Sequence, residues 1–158
     1  ERLPDRLPPL GIMIETPGAA LAADALALEA DFFAIGTNDL TAYTLAVDRG
    51  EPSLADLYDP LHPAVLRLIQ FATEAALRMR MPVSVCGEMA ADPRWTPLLL
   101  GIGVRSFSMN AGAVPRVKQV VRGLHIDDCA RLARRVMDQP DPAAIHEVIQ
   151  RFGRDGPP

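Results

Sequence analysis

Two acids, an amide, an arginine and a thiol stand at places in this sequence where chemistry is commonly done. Glu15 follows the apolar run "GIMI", Asn38 and Asp39 follow "FFAIGT", and Cys86 ends "PVSVC". Arg49 lies a little further on, within "AVDRG". Neighbouring carboxylates repel each other unless a cation lies between them, and Mg²⁺ is typically held by one or two carboxylates together with phosphate and water. Glu15 and Asp39 are therefore candidate ligands of a divalent cation.

Each of these residues also has a structural explanation. Glu15 and Asp39 are acids close to predicted helix starts, where acids are common. Asn38 is suited to orienting a substrate oxygen, but equally to an Asx-turn. Arg49 is suited to gripping a phosphate or carboxylate with two hydrogen bonds, but a lone arginine in a loop is more often solvated. Spacing alone leaves both explanations open.

Cys86 is followed by Gly87 and Glu88. A thiol at a strand end acts as an acid or nucleophile when its pKa is tuned, whereas a buried cysteine is usually inert. Gly87 is expected to let the backbone approach a ligand closely. Cys129, inside a predicted helix, is expected to be structural. The histidines have no metal-ligand spacing and are expected at the surface or in packing roles: His62, His125 and His146.

Short strands and longer helices must position these groups. The predicted strands are Gly11–Ile14, Phe32–Ile35, Pro82–Val85 and Ser106–Met109, all mostly apolar, as in strands buried on both faces. A helix is also predicted after residues 36–39, and several others start with a capping residue followed by proline. The predicted helices are Pro17 to about Ala30, Pro63 to Arg80, Pro93 to about Leu100, Val114 to Leu124, Asp127 or Asp128 to about Met137, and Pro142 to about Phe152 with Gly153 just past its end.

The alternation of strands and helices predicts an α/β fold with parallel strands. Four such βα units make either half of a (β/α)8 barrel or a small open sheet. The polar residues favour the barrel, because Glu15, Asp39, Cys86 and Asn110 all end strands, where barrel enzymes place their chemistry. Open sheets place their chemistry at the same edge, so the sequence pattern alone does not distinguish half of a barrel from a small open sheet. Residues 48–62 are expected to form a functional loop over this edge.

The chain has 158 residues, 49% of them hydrophobic and 23% charged, which is typical of one globular domain or a large piece of one. Its net charge of −4 and 5% aromatic content argue against nucleic-acid binding, and no apolar run is long enough for a membrane span. Two cysteines make no disulfide framework, which favours a reducing cytoplasm. Residues 1–10 are predicted to be a linker, and the chain to be a fragment of a longer protein.

Five segments, in this order, closely resemble the phosphoenolpyruvate-binding domain of enzyme I, the phosphoenolpyruvate–protein phosphotransferase family of the bacterial sugar phosphotransferase system. They are "GIMIETPGAA", "DFFAIGTNDLTAYTLAVDRG", "LYDPLHPAVLRLI", "PVSVCGEMAADP" and "SFSMNAGAVPRVKQVVR". Pyruvate phosphate dikinase and phosphoenolpyruvate synthase are relatives of this family. The resemblance covers about residues 11–125 and is weaker beyond them.

The resemblance implies the second half of a phosphoenolpyruvate-binding (β/α)8 TIM barrel over residues 11–125, with C-terminal helices of the same domain over 126–153 and a tail over 154–158. It implies that Glu15 and Asp39 ligate Mg²⁺, that Asn38 and Arg49 contact phosphoenolpyruvate, and that Cys86 protonates C3 as pyruvate forms. It further implies a homodimer, and transfer to the phosphocarrier protein HPr through N-terminal domains of a parent protein.

The chain departs from the family pattern at Ala34, Ala42 and Ala91, where serine, glutamine and glycine are usual. None of these changes removes a group with an implied catalytic role. Nothing in the sequence resembles a phosphohistidine domain or the first half of the barrel. We therefore expect this piece alone to be inactive. The alternatives are a non-catalytic ligand-binding or dimerisation module derived from the family, or another phosphoenolpyruvate-utilising enzyme of the dikinase or synthase type.

Overall fold

Four parallel strands form the centre of the chain, which a computed structural model describes over residues 8–48 and 50–155. They are β1 (Gly11–Ile14), β2 (Phe32–Gly36), β3 (Val83–Cys86) and β4 (Ser106–Phe107), paired in the order β1-β2-β3-β4. All three pairings are parallel, so each connection crosses back over the sheet. The predicted α/β architecture with parallel strands is confirmed. Compared with the prediction, β3 starts and ends one residue later, and β4 is two residues shorter.

Nine α-helices and one 3-10 helix are formed by the described residues. They are α1 (Pro17–Leu21), α2 (Ala23–Leu26), α3 (Thr37–Leu45), the 3-10 helix (Pro52–Leu57), α4 (Pro63–Arg78), α5 (Glu88–Ala91), α6 (Thr96–Ile102), α7 (Val114–Arg122), α8 (Ile126–Met137) and α9 (Pro142–Asp155). Within residues 8–48 and 50–155, none of the helices combines the length and the hydropathy that a membrane span needs. Of the loop predicted over residues 48–62, six residues form the 3-10 helix.

Three helices begin as the cap-plus-proline pattern predicts. Thr16 Oγ1 accepts a hydrogen bond at 3.2 Å from the amide three residues later, and Asp141 Oδ1 accepts one at 2.9 Å from the equivalent amide of α9. His62 also caps its helix, although histidine is a poor capping residue, because its Nδ1 accepts from the amide of Ala64 at 3.1 Å. Each cap satisfies a backbone donor that the first turn of a helix leaves unpaired.

The fourth predicted start, at Asp92, is wrong. Asp92 follows α5, and its carboxylate accepts from both the amide and the guanidinium of Arg94. This local turn occupies the carboxylate, so the next helix, α6, begins only at Thr96. Two predicted ends are also wrong: the helix from Pro17 is interrupted after α1 and its second part ends at Leu26, and α9 continues through Gly153.

The two faces of the sheet differ. Side chains of one face, including Phe33, Ile35 and Val85, are fully buried in the hydrophobic core with helix α4. The other face remains partly exposed, with Met13 at 46% and Phe32 at 37% relative accessibility. The prediction of strands buried on both faces is therefore wrong for the described residues. A parallel sheet with helices on one face is consistent with part of a barrel, in which the second face would be the interior.

Candidate active site at the strand ends

The parallel register brings the ends of β1, β2 and β3 to one level. Ile14 pairs with Ile35, and Gly36 pairs with Cys86, so Glu15 lies beside Gly36. A Cβ placed on Gly36 would lie 3.1 Å from Glu15 Oε2. The missing side chain of Gly36 thus gives the Glu15 carboxylate its place over β2. The side chain that caps α1 is that of Thr16, so helix capping does not explain why an acid stands at position 15.

Cys86 lies on the same face as this carboxylate. Its Sγ is 3.5 Å from the carbonyl oxygen of Ile35, to which the thiol donates, and 4.0 Å from Met13 Sδ. Burial raises the pKa of the Cys86 thiol, and the negative charges of Glu15 and Asp39 raise it further. Glu15 and Asp39 therefore both lie within electrostatic reach of Cys86, and the raised pKa keeps the sulfur as a neutral thiol at neutral pH. Such a group is suited to giving a proton rather than to acting as a nucleophile.

Helix α3 brings Asn38 and Asp39 to the site. Asp39 is an exposed residue in the first turn of α3, a position that helix electrostatics also favours. Asn38 makes no Asx-turn. Instead its Oδ1 accepts from the backbone amide of Glu88, 50 residues away, at 3.0 Å. This bond joins the loops after β2 and β3 and leaves the amide nitrogen of Asn38 as the end suited to donate to a ligand oxygen.

Two further residues hold this arrangement together. Thr37 Oγ1 donates to the carbonyl oxygen of Cys86 at 2.8 Å, and Tyr58 Oη donates to the carbonyl oxygen of Asn38 at 3.1 Å. Neither residue has a spacing signal in the sequence, because its partner is a main-chain atom 49 or 20 positions away. Thr37 is fully buried, so its hydroxyl requires a partner of this kind.

Gly87 is the point where these contacts are tightest. Its backbone has φ 94° and ψ −172°, a conformation that is almost exclusive to glycine. A Cβ on Gly87 would lie 2.6 Å from Thr37 Oγ1 and 2.8 Å from Asn38 Oδ1. The close contacts of this glycine are therefore made to the first two residues of α3, and its predicted approach to a ligand stays a prediction.

The remaining sequence candidates are placed differently. Arg49 lies outside the described residues. Ala42 and Asp48 line a groove together with Asp39, so the departure from the family pattern at Ala42 borders the site. Asn110, which follows β4, accepts from the backbone amide of Ala113 at 3.0 Å and so stabilises a local turn.

The carboxylates of Glu15 and Asp39 fit a magnesium ion that is bound together with a phosphorylated ligand. Within residues 8–48 and 50–155, no three His, Cys, Asp or Glu side chains come together as a complete metal site. Mg²⁺ keeps several water or phosphate ligands and usually takes only one or two carboxylates from the protein. Glu15 and Asp39 would supply two, and both carboxylates act electrostatically on Cys86.

Comparison with known proteins gives consistent matches. A family profile described as "PEP-utilising enzyme, PEP-binding domain" matches residues 3–126. The chain is 47% identical over 151 residues to the phosphoenolpyruvate-protein phosphotransferase of Haemophilus influenzae, covering 96% of this chain and 26% of that protein. It is 46% identical over 143 residues to the protein of the same name from Buchnera aphidicola subsp. Baizongia pistaciae, covering 90% and 25%.

A multiphosphoryl transfer protein of Xanthomonas campestris pv. campestris is 49% identical over 129 residues, which cover 82% of this chain and 15% of that protein. The chain thus spans about a quarter of the length of the curated phosphotransferases that it matches.

Proposed function

Because the chain belongs to the family of phosphoenolpyruvate-binding domains of phosphoenolpyruvate-utilising enzymes, we propose that it supplies part of the phosphoenolpyruvate site of an enzyme I type phosphotransferase. In this proposal the phosphoryl group passes to a histidine elsewhere in the parent protein and on to a phosphocarrier protein such as HPr, and pyruvate is released. The names of the relatives support this choice over a dikinase or synthase.

One observation carries the proposal: a half-buried thiol, whose pKa is raised by burial, lies at the ends of parallel strands within electrostatic reach of two carboxylates. Loss of the phosphoryl group turns phosphoenolpyruvate into an enolate, and pyruvate forms when C3 of that enolate gains a proton. Cys86 is the proposed donor, since its raised pKa keeps the proton on sulfur until the enolate appears. The thiolate left behind then regains a proton from solvent.

The other residues position the anion and balance its charge. Glu15 and Asp39 would hold Mg²⁺, which neutralises phosphate oxygens during phosphoryl transfer. The amide nitrogen of Asn38 would donate to a substrate oxygen, with its orientation fixed by the Glu88 amide. Arg49 is proposed as a further contact to the substrate. Positioning and charge neutralisation are most of what phosphoryl transfer requires from a protein.

The proton step is tested in the full-length gene product with Cys86→Ala. We expect the rate at which the protein exchanges the C3 protons of pyruvate for solvent deuterium, in the presence of Mg²⁺, to fall by about 10²- to 10⁴-fold, the usual contribution of a general acid. Cys129→Ala, which alters a buried thiol of α8, is the matched control and should leave this rate unchanged. Equal exchange rates in wild type and Cys86→Ala would remove the proposed role of this thiol.

Ligand binding is tested by calorimetry with Mg²⁺ and phosphoenolpyruvate. Asp39→Asn is expected to abolish magnesium-dependent binding while keeping the shape of the side chain, and Asp24→Asn, at an exposed ion pair with Arg78, is the control. For the isolated 158-residue chain we propose no turnover, because it spans only a quarter of its relatives. Transfer of labelled phosphate from phosphoenolpyruvate to a carrier protein by this chain alone would contradict that.

We propose further that the sheet is the second half of a (β/α)8 barrel and that the protein forms a homodimer. The partly exposed face with Met13 and Phe32 supports the first statement, because a closed barrel would bury it. The exposed apolar side chains Leu21, Leu28 and Phe71 on the outer helices and their connections support the second. Light scattering of the full-length gene product would test the dimer, and a monomer at high concentration would contradict it.

A further inference from the structure

The turn at Tyr58 and Asp59 joins the candidate site to a distant helix. Tyr58 Oη donates to the carbonyl oxygen of Asn38 at 3.1 Å, on the site side. Asp59 Oδ2 is 3.1 Å from Nε2 of His146 in α9, on the far side. The other oxygen of Asp59 accepts from the amide of Leu61 at 2.8 Å, which fixes the shape of the turn. Two adjacent residues thus contact α3 and α9 at once.

Helix α9 gives this connection a rigid support. Ile145, next to His146, is fully buried in the hydrophobic core, and Val148 and Ile149 are buried with it. His146 itself is half exposed, and its backbone is part of this anchored helix. The Asp59–His146 contact therefore ties the turn to a part of the chain that the core holds in place.

At the other end, the connection reaches a residue whose orientation matters. The main-chain oxygen of Asn38 is held by Tyr58, and its side-chain Oδ1 is held by the Glu88 amide. The Tyr58 bond constrains the main chain of Asn38 and the Glu88 bond constrains its side-chain amide, so both influence the direction in which the amide nitrogen points. A loosened Tyr58 would leave only the Glu88 bond to orient the group.

We propose that Tyr58, Asp59 and His146 are positioning residues that act in series to orient Asn38 toward its ligand, so that α9 contributes to affinity at a site it does not touch. This rests on the proposed function, because the ligand meant is phosphoenolpyruvate with Mg²⁺. None of the three residues is adjacent in sequence to the groups that do the chemistry. Their effect is expected on the binding of substrate, with little effect on the proton step at Cys86.

The test measures phosphoenolpyruvate binding by the full-length gene product in the presence of Mg²⁺. Tyr58→Phe keeps the ring and removes only the hydroxyl, and is expected to raise Kd and KM about three- to tenfold, the loss of one hydrogen bond, with kcat nearly unchanged. His146→Leu is expected to do the same to a smaller extent, and His146→Gln, whose amide nitrogen can replace Nε2, should restore affinity. His125→Leu, at an exposed position before α8 without a side-chain cap, is the matched control.

Combining the variants tests whether the residues act in series. Tyr58→Phe with His146→Leu should weaken binding no more than the larger single effect, whereas two independent stabilising contacts would multiply. Hydrogen exchange at the Glu88 amide gives a readout that needs no ligand: Tyr58→Phe should speed it several-fold, because Asn38 then holds its Oδ1 less firmly.

The outcomes separate the two proposals. If wild type binds and Asp39→Asn does not, but Tyr58→Phe and His146→Leu both bind within twofold of wild type, the positioning role is wrong and the proposed function stands. If wild type does not bind, the proposed function is wrong, and exchange at Glu88 decides the positioning role. Unchanged exchange in Tyr58→Phe would overturn it in that case as well.

Discussion

Replacing Gly87 by alanine should be the most informative change at the site, because it adds a single methyl group where three contacts meet. Gly87 has φ 94° and ψ −172°, and a Cβ there would lie 2.6 Å from Thr37 Oγ1 and 2.8 Å from Asn38 Oδ1. Ordinary van der Waals contact begins only at 3.4 Å. Both oxygens must therefore move, and both are engaged in hydrogen bonds that join the ends of β2 and β3.

The expected cost has two parts. An alanine forced into this backbone conformation costs about 1–3 kcal/mol. Displacing the oxygens lengthens the bonds from Thr37 Oγ1 to the Cys86 carbonyl and from the Glu88 amide to Asn38 Oδ1, each of which contributes about 0.5–1.5 kcal/mol. The free energy of unfolding should thus fall by about 2–6 kcal/mol. For a chain of this length, at about 2–4 °C per kcal/mol, that corresponds to a decrease in Tm of roughly 4–24 °C.

Urea denaturation of Gly87→Ala measures this difference, and Gly153→Ala is the control. Gly153 lies inside α9 with open space around its Cα, so alanine there should stabilise the helix by up to about 1 kcal/mol. The backbone cost and the hydrogen-bond cost can be measured separately in a protein that also carries Thr37→Ala and Asn38→Ala, because these changes remove both displaced oxygens. In that background Gly87→Ala should still cost the backbone part of about 1–3 kcal/mol. A Gly87→Ala protein within about 0.5 kcal/mol of wild type would refute the account of this glycine.

Three other changes test separate contacts. Gly101→Ala places a Cβ 2.0 Å from the carbonyl oxygen of Cys129 between α6 and α8, and should lower the free energy of unfolding by about 1–3 kcal/mol in urea, the usual cost of overpacking. Thr37→Val leaves the Cys86 carbonyl without its donor and should cost about 1–2 kcal/mol by the same measurement. Burial raises the pKa of both thiols, so alkylation by iodoacetamide should be slow at pH 7 and rise about tenfold per pH unit until that pKa is reached. Mass spectrometry should find the label on the half-buried Cys86 and none on the fully buried Cys129 while the protein stays folded; equal labelling would contradict this.

Periodicity and capping chemistry made much of the fold predictable. A mostly apolar run marks each of the strands β1 to β3, and a cap followed by proline marks the starts of α1, α4 and α9. Asp92 shows where this reasoning stops, because the same cap-plus-proline pair formed a turn closed by Arg94. The competing bonds come from both the backbone amide and the guanidinium of Arg94, and the order of residue types does not reveal that they form. The exposed second face of the sheet was equally unpredictable, since an apolar strand has the same composition whether or not something covers it.

The groups suited to chemistry can be identified from the sequence, whereas the residues that hold them in place cannot. Glu15, Asp39 and Cys86 stand where strands end, and in a parallel sheet the strand ends meet at one edge, so their convergence follows from the order of elements. Thr37 and Tyr58 act on main-chain oxygens, which every residue has, so no residue type marks their partners. Which side chain reaches which carbonyl is decided by the path of the loops.

This difference also decides which substitutions the site should tolerate. A change such as that at Ala42, on the groove beside Asp39, removes no bond that joins the strand ends, so the geometry of Glu15, Asp39 and Cys86 survives it. A change at Gly87 adds no charge and removes no functional group, yet it breaks the contacts that place the chemistry. The integrity of such a site is therefore better judged from the residues that join its loops than from the reacting groups alone.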